Sequence, residues 1–179
     1  MAVRLNHTIV AAHDHEASSK FLAEILGLPP PLRLGPFAIV SVGDTSLDYM
    51  NVKEYRGADG EIVSQHYAFL VTEAEFDEIF ARIRERHLPY WADPSRSQRD
   101  QINQWDGGRG VYFEDPNGHV LEAITRPYGS GGTTAARPHP LLASTGNRAP
   151  ETRHNDQTVK DEGAHPGRVP GRTWCNFLI

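Results

Sequence analysis

Displacing the sequence by 59 positions lays His7 on His66, Glu16 on Glu75 and Phe21 on Phe80. Each histidine then stands at the same place in a strand-like stretch, "LNHTIV" or "QHYAFLV", with a helix signal following it. The hairpins that come later also match, at a different offset. "GDTSLD" lies against "NGHVLE", so that Asp48 and Glu122 both fall four residues beyond the second turn residue. Such repetition confines the chain to folds in which two like supersecondary units pack together.

The elements within each unit have local causes. "DHEASSKFLAEILGL" reads as a helix capped by Asp14, with Ala17, Phe21, Leu22, Ile25 and Leu28 as its apolar face and Gly27 with the following prolines as its stop. Thr72 and Glu75 form a capping-box signature for a second helix carrying Phe76, Ile79, Phe80 and Ile83, which ends before Pro89. "PFAIVSV" and "SLDYMNV" flank Gly43-Asp44, and "VYFE" and "HVLEAIT" flank Asp115-Pro116-Asn117-Gly118, both as hairpins. The expected fold is α+β: two βαβββ modules, 4–54 and 64–126, pairing into a half-open curved sheet inside a domain spanning 1–126. Beyond Arg126 proline and glycine become frequent and no hydrophobic period persists, so 127–179 reads as a disordered tail, with "GRTWCNFLI" its only apolar stretch.

Glu122 is the residue that this fold makes difficult. Strand alternation puts it on the face of Val120 and Ile124, and an unpaired carboxylate in such an interior costs several kcal/mol. A buried cation removes that cost. If the modules pair their sheets, the repeat-equivalent positions of His7, Asp48, His66 and Glu122 converge, and imidazoles plus a carboxylate make a metal site.

Several classes are disfavoured. A formal charge of −5 and scattered Lys and Arg offer no stripe for a nucleic-acid backbone. No apolar run reaches the length of a membrane span and "MAVRLNHTIV" lacks a secretory pattern, so the expectation is a cytoplasmic protein. The single cysteine, Cys175, allows no disulfide framework or thiolate cage.

The residues "LNHTIV", "QHYAFLV" ahead of its capped helix, and "GGRGVYFEDPNGHVLEAIT" resemble the vicinal oxygen chelate superfamily of glyoxalase I, fosfomycin-resistance proteins and type I extradiol dioxygenases. The resemblance covers 4–126, with a finer similarity to small two-module ring-cleaving dioxygenases of chartreusin-biosynthesis type. It implies His7, His66 and Glu122 as metal ligands and Tyr112 as a substrate or acid–base contact. Two His and one carboxylate leave positions open on an octahedral ion, the arrangement by which non-haem Fe(II) enzymes take O2 beside a bidentate substrate. The implied activity is Fe(II)-dependent ring cleavage of a catechol or polycyclic aromatic substrate by a homodimer; Mn, Zn and Ni suit the same ligands. Two departures stand out. The histidine that extradiol enzymes supply just upstream of the last hairpin is replaced here by Asn103, Gln104, Trp105 and Asp106, and the larger members have four modules.

Each remaining residue has a plainer alternative. Asp48 is either a fourth ligand or an orienter of substrate or water, and Tyr112 either a site residue or a core aromatic. Arg109 either meets an anionic substrate or is solvated, and Trp91 and Trp105 wall a flat substrate or simply fill the core. His13 and His15 read as a helix-start surface, and His119 as structural. Competing functions are a glyoxalase-type isomerase or lyase, in which Asp48 would be ligand or base, and an antibiotic-binding protein. A fosfomycin-type transferase would want a cationic cluster, for which Arg109 stands alone.

Overall fold

The same unit is built twice. In the computed structural model, which describes residues 3–56, 60–131 and 135–140, the first unit runs β1 (His7–Ala12), α1 (His15–Leu26), β2 (Leu32–Leu34), β3 (Phe37–Val42) and β4 (Thr45–Asn51), followed by the short α2 (Val52–Arg56). The second runs β5 (His66–Leu70), α3 (Glu73–Glu85), β6 (Tyr90–Trp91), β7 (Gly110–Glu114) and β8 (Val120–Ile124), with a 3-10 turn at Trp105–Gly107. Each unit makes a four-stranded sheet, in the orders β1-β4-β3-β2 and β5-β8-β7-β6. The first strand of each runs parallel to the last, and the other pairs are antiparallel. The α+β, two-module expectation holds, and the sheets are not closed into a barrel.

The helices start where their caps dictate. The Asp14 carboxylate accepts from the Glu16 and Ala17 amides, both at 3.0 Å. Thr72 and Glu75 complete the reciprocal capping box. Gly27 ends α1 with a φ of 71°, and a Cβ there would come within 2.7 Å of the Arg82 guanidinium of α3. Arg82 in turn donates to the Ile25 carbonyl at 3.3 Å, and Arg86 pairs with Glu24 at 2.7 Å, so the two helices are tied to each other.

The buried face of α1 departs from the sequence pattern. Ala17 is exposed, while His15, Ser18, Ser19, Leu22, Ala23 and Ile25 are buried. Serines hide there because their hydroxyls are spent locally, Ser18 on the Asp14 carbonyl at 2.7 Å and Ser19 on the Glu16 carbonyl at 3.1 Å. The edge strands β2 and β6 and the helix α2 are too short for any periodicity to reveal.

Alternation along the strands gives each sheet two faces. The helix-side face carries Val10, Ala12, Ala38, Val40, Leu47 and Tyr49 in the first sheet, and Phe69, Val111, Phe113, Leu121 and Ala123 in the second. These pack with Leu22, Ile25, Phe76, Ile79 and Ile83 into one core, each large side chain contributing about 1.5–3 kcal/mol of burial. The opposite, open face carries Leu32 and Leu34 in one sheet and Leu70 in the other, all exposed. Among the described residues no helix is long and apolar enough to cross a membrane.

The last hairpin bolts the modules together. Asp115 accepts from the Asn117 and His119 amides, and Asn117 bonds the His13 amide at 2.9 Å and the Ser18 hydroxyl at 2.8 Å. His119, fully buried, takes the Gln65 amide on Nδ1 at 3.0 Å, which leaves Nε2 to donate to the Ala11 carbonyl at 2.8 Å. Its role is structural, as its place after the turn suggested.

Only a small part of the segment beyond Arg126 lies within the described residues. Residues 127–131 and 135–140 pack against the second module, with the His139 side chain buried. Composition misses this because the segment is held by specific polar contacts and ring packing, with no hydrophobic period. The apolar "GRTWCNFLI" stretch and Cys175 lie outside the described residues.

Candidate metal centre and its C-terminal strap

Glu122 sits mid-strand in β8, opposite Ala68 of β5 and Tyr112 of β7. It is fully buried although it lies on the open face. His66 begins β5 on that same face, and its Nε2 lies 3.2 Å from Glu122 Oε2. The Tyr128 hydroxyl also donates to Oε2, and the Tyr112 and Tyr128 hydroxyls are 2.9 Å apart. Oε1 of Glu122 is buried with no hydrogen-bond partner. A buried carboxylate oxygen left unsatisfied costs on the order of 1–3 kcal/mol or more, and a cation at that oxygen removes the cost. The chemistry of the donors fits a divalent metal: one imidazole nitrogen and one carboxylate with an open oxygen.

Aromatic rings surround the pair. His66 stacks on Tyr112 with centroids 5.9 Å apart, and Trp105 meets Tyr112 edge-on at 6.3 Å. Trp91 pairs with Tyr112 in the β6–β7 register, so both tryptophans flank that tyrosine. Burial, then the Glu122 charge, raises the Tyr112 phenol well above the usual tyrosine value, and the same causes raise Tyr128. Both remain proton donors at neutral pH.

The chain brings His66, Glu122, Tyr112, Trp91 and Trp105 together, but not His7 or Asp48. Among the described residues no group of three His, Cys, Asp or Glu side chains is placed to hold a metal. His7 is exposed on β1, where its Nδ1 pairs with Asn6 Oδ1 at 2.8 Å. Asp48 is half-buried on β4 and accepts from Ser46 at 2.7 Å. The register explains the relation between the halves. His7 lies opposite Ser46 and His66 opposite Val120, so in each sheet the acid stands two residues beyond the histidine's partner. The first sheet thus carries a His–Asp half-site equivalent to the His–Glu one, on a separate sheet.

Arg109 faces away from this cluster. It bonds Glu73 and Asp77 of α3, both at 2.6 Å, and lies 4.4 Å above the Phe76 ring. Its alternation with Val111 and Phe113 places it on the helix side of the sheet, so a substrate contact at Glu122 is replaced by a helix tie.

Three residues at the site escaped the sequence pattern: Asp106, Tyr128 and His139. Tyr128 covers Glu122, and the His139 ring packs against Tyr128 at 4.0 Å and Trp105 at 4.7 Å. Burial holds the His139 imidazole below its ordinary value, opposed by the charges of Glu122 and Asp106. The only sequence signal was an aromatic and a histidine set among prolines and glycines after Arg126. A surface cavity of about 630 Å³ lies elsewhere, beside Leu88 and Tyr90, and holds none of the cluster.

Two βαβββ units, each presenting a histidine on its first strand and an acid on its last, define the vicinal oxygen chelate fold. The chain belongs to the glyoxalase/bleomycin resistance protein/dioxygenase superfamily, whose family model matches residues 4–123. Among solved structures it is similar to Oxidase ChaP-H2, with 59% identity and a TM-score of 0.68 over 74% of this chain and 100% of that one. Oxidase ChaP-H1 gives 58% identity and a TM-score of 0.66 over 72% and 99%. Among curated proteins it is similar to the glutathione transferase FosA of Serratia marcescens, 32% identical over 124 residues, 68% of this chain and 80% of that protein.

Proposed function

We propose that the protein is a cytoplasmic, Fe(II)-dependent dioxygenase that cleaves a ring of a catechol or polycyclic hydroquinone. The observation that carries this reading is the buried Glu122 carboxylate, with one oxygen unpaired, beside the His66 imidazole in an aromatic recess. The high identity to two oxidases supports oxygen chemistry over the other activities of the superfamily.

His66 and Glu122 would hold the metal, with His7 as third ligand. A ferrous ion held there would supply Lewis-acid and one-electron chemistry toward a phenolic substrate and O2. Both oxygen atoms enter the product as one ring C–C bond breaks; the substrate provides all four electrons, so no external reductant is needed. Tyr112, held protonated by burial and by Glu122, donates a hydrogen bond to an oxygen of the reacting group. Trp91 and Trp105 hold the ring plane and keep water out. With Nδ1 of His7 engaged by Asn6, Nε2 is the nitrogen left for a metal.

Since one chain separates His7 from His66 and Glu122, the full ligand set is assembled in a homodimer, the open face of one protomer's first sheet meeting the other's second sheet. The exposed Leu32, Leu34 and Leu70 on those faces support this pairing. Asp48 would arrive beside the metal as an orienting group. A phosphonate-directed transferase is the second reading, favoured by the similarity to FosA; it lacks a free cationic cluster at Glu122, because Arg109 is held by α3.

The test is anaerobic Fe(II) loading followed by oxygen-electrode and absorbance assays against catechols and polycyclic hydroquinones. Stoichiometric O2 uptake that disappears in His66→Ala is expected. Iron binding without O2 consumption across the panel, together with thiol transfer to fosfomycin, overturns the dioxygenase reading in favour of the transferase.

A further inference from the structure

The described residues 126–131 and 135–139 carry no helix or strand, yet they set the Tyr128 hydroxyl on Glu122. What fixes them is one buried side chain, Asp106, whose backbone adopts a φ of 53° in the 3-10 turn. Its carboxylate accepts from the Gly129 amide at 2.7 Å and from the His139 amide at 3.3 Å. Its own amide donates to the Arg137 carbonyl at 2.8 Å, and its carbonyl accepts from Arg126 Nη1 at 3.2 Å. Both described parts of the segment, 126–131 and 135–140, are therefore held by a single residue. It also passes very close: a Cβ on Gly131 would lie 2.9 Å from the Asp106 Cα. His139, placed by this clamp between Trp105 and Tyr128, backs the Tyr128 ring on the side away from solvent.

We propose that Asp106 is a positioning residue that clamps this C-terminal strap onto the metal site, so that Tyr128 fixes the Glu122 carboxylate through Oε2 and leaves Oε1 open to the metal. This rests on the reading of His66 and Glu122 as metal ligands and assigns a new part of the chain to their site. A strap that merely covered Glu122 would do so equally well with Phe at position 128, leaving metal affinity untouched in Tyr128→Phe. A strap that orients a ligating carboxylate sets it, because partners of ligating groups typically govern affinity by about 10- to 100-fold.

The experiment uses the full chain and Mn(II) alone as probe, in the wild type, Asp106→Asn, Tyr128→Phe and the double variant. Amide hydrogen exchange in 127–140 is expected to rise about tenfold or more in Asp106→Asn, with 110–124 unchanged. The Mn(II) dissociation constant should rise about tenfold in each single variant, and the double variant should be no weaker than the weaker single, because Asp106 acts through Tyr128. Gly131→Ala, whose added methyl crowds the Asp106 backbone and leaves its carboxylate unchanged, should reproduce the Asp106→Asn result if that variant folds poorly. Unchanged exchange, Mn(II) affinities within about twofold of wild type, or effects that multiply in the double variant overturn the proposal. Glu122→Gln separates the two levels. If it binds Mn(II) as the wild type does, the metal reading falls and the strap's role at the metal with it; if it loses Mn(II) while the strap variants keep it, only the strap proposal falls.

Discussion

The two modules share topology, strand register and the position of one histidine and one acid, yet they treat the acid in opposite ways. In the second module Glu122 is fully buried, and His66, Tyr112 and Tyr128 converge on it. In the first module Asp48 is half-buried with a serine for company, and His7 stands in solvent. Duplication supplied two equivalent half-sites; the structure developed one of them. Burial makes the difference, since an unpaired carboxylate oxygen in a dry recess binds a cation far more usefully than one whose charge water already screens.

The comparison breaks most sharply at Glu122. Glu122→Gln keeps the shape of the buried side chain but removes its charge, and it should weaken Mn(II) or Fe(II) binding by about 100-fold or more, measured by isothermal titration under anaerobic conditions. Retained affinity would overturn the reading of Glu122 as a metal ligand. His7→Ala comes next, with an expected loss of about 10- to 100-fold and no change in thermal midpoint, because the side chain is exposed. Mixing His7→Ala with His66→Ala protomers sharpens the point: a site shared between chains regains one intact ligand set per mixed dimer, whereas a site within one chain regains none.

The tyrosines test the burial of the Glu122 cluster by pH, against a background set by Tyr49 of the first module, which burial also raises. Tyr67, on the helix side of the second sheet, is raised to about 12 by burial and by Asp115, while Tyr112 and Tyr128 are raised further, by burial and then by Glu122. An unfolded tyrosine ionises near 10. Between that value and the folded one the unfolded chain has lost protons that the native one keeps, so stability is full below about pH 10 and falls as pH rises beyond it. Denaturant melts at pH 9, 10 and 11 should show this decline, and Tyr112→Phe should make it shallower, with Tyr49, Tyr67 and Tyr128 supplying the rest. An unchanged slope in that variant would show that Tyr112 is not protected by the Glu122 cluster.

The fold was legible because its causes are local and repeated. Asp14, Thr72 and Glu75 announce the helix starts, alternation announces the strands, and the repeated histidines announce the pairing of modules. Glu122 was legible for a different reason: a carboxylate in an apolar strand conflicts with its surroundings and demands a partner. The exposed Ala17 and buried Ser18 and Ser19 were not legible, since hydroxyls satisfied by their own helix look polar in sequence. Arg109 was ambiguous until α3 was seen to supply Glu73 and Asp77, partners more than thirty residues away. The strap was invisible for the same physical reason: Asp106 reaches Gly129 and His139 across long separations through single hydrogen bonds, and such contacts leave no period behind them.

The smallest effect is the most discriminating for the asymmetry itself. Asp48 occupies the position equivalent to Glu122, but its carboxylate is one methylene shorter, partly solvated and engaged by Ser46. If it only orients water or substrate, Asp48→Asn should shift the Mn(II) dissociation constant by less than about threefold, since a partly solvated group outside the ligand set is screened. The mirror experiment is Asp48→Glu, which restores the missing methylene. Should that variant tighten Mn(II), the first module retains a latent ligand position that length alone withholds; should it bind as the wild type does, burial rather than reach is what separates the two halves. A loss of 100-fold in Asp48→Asn would instead make both acids ligands, and the site would then be closer to the isomerase arrangement, in which a fully ligated ion leaves less room for O2 beside a chelating substrate.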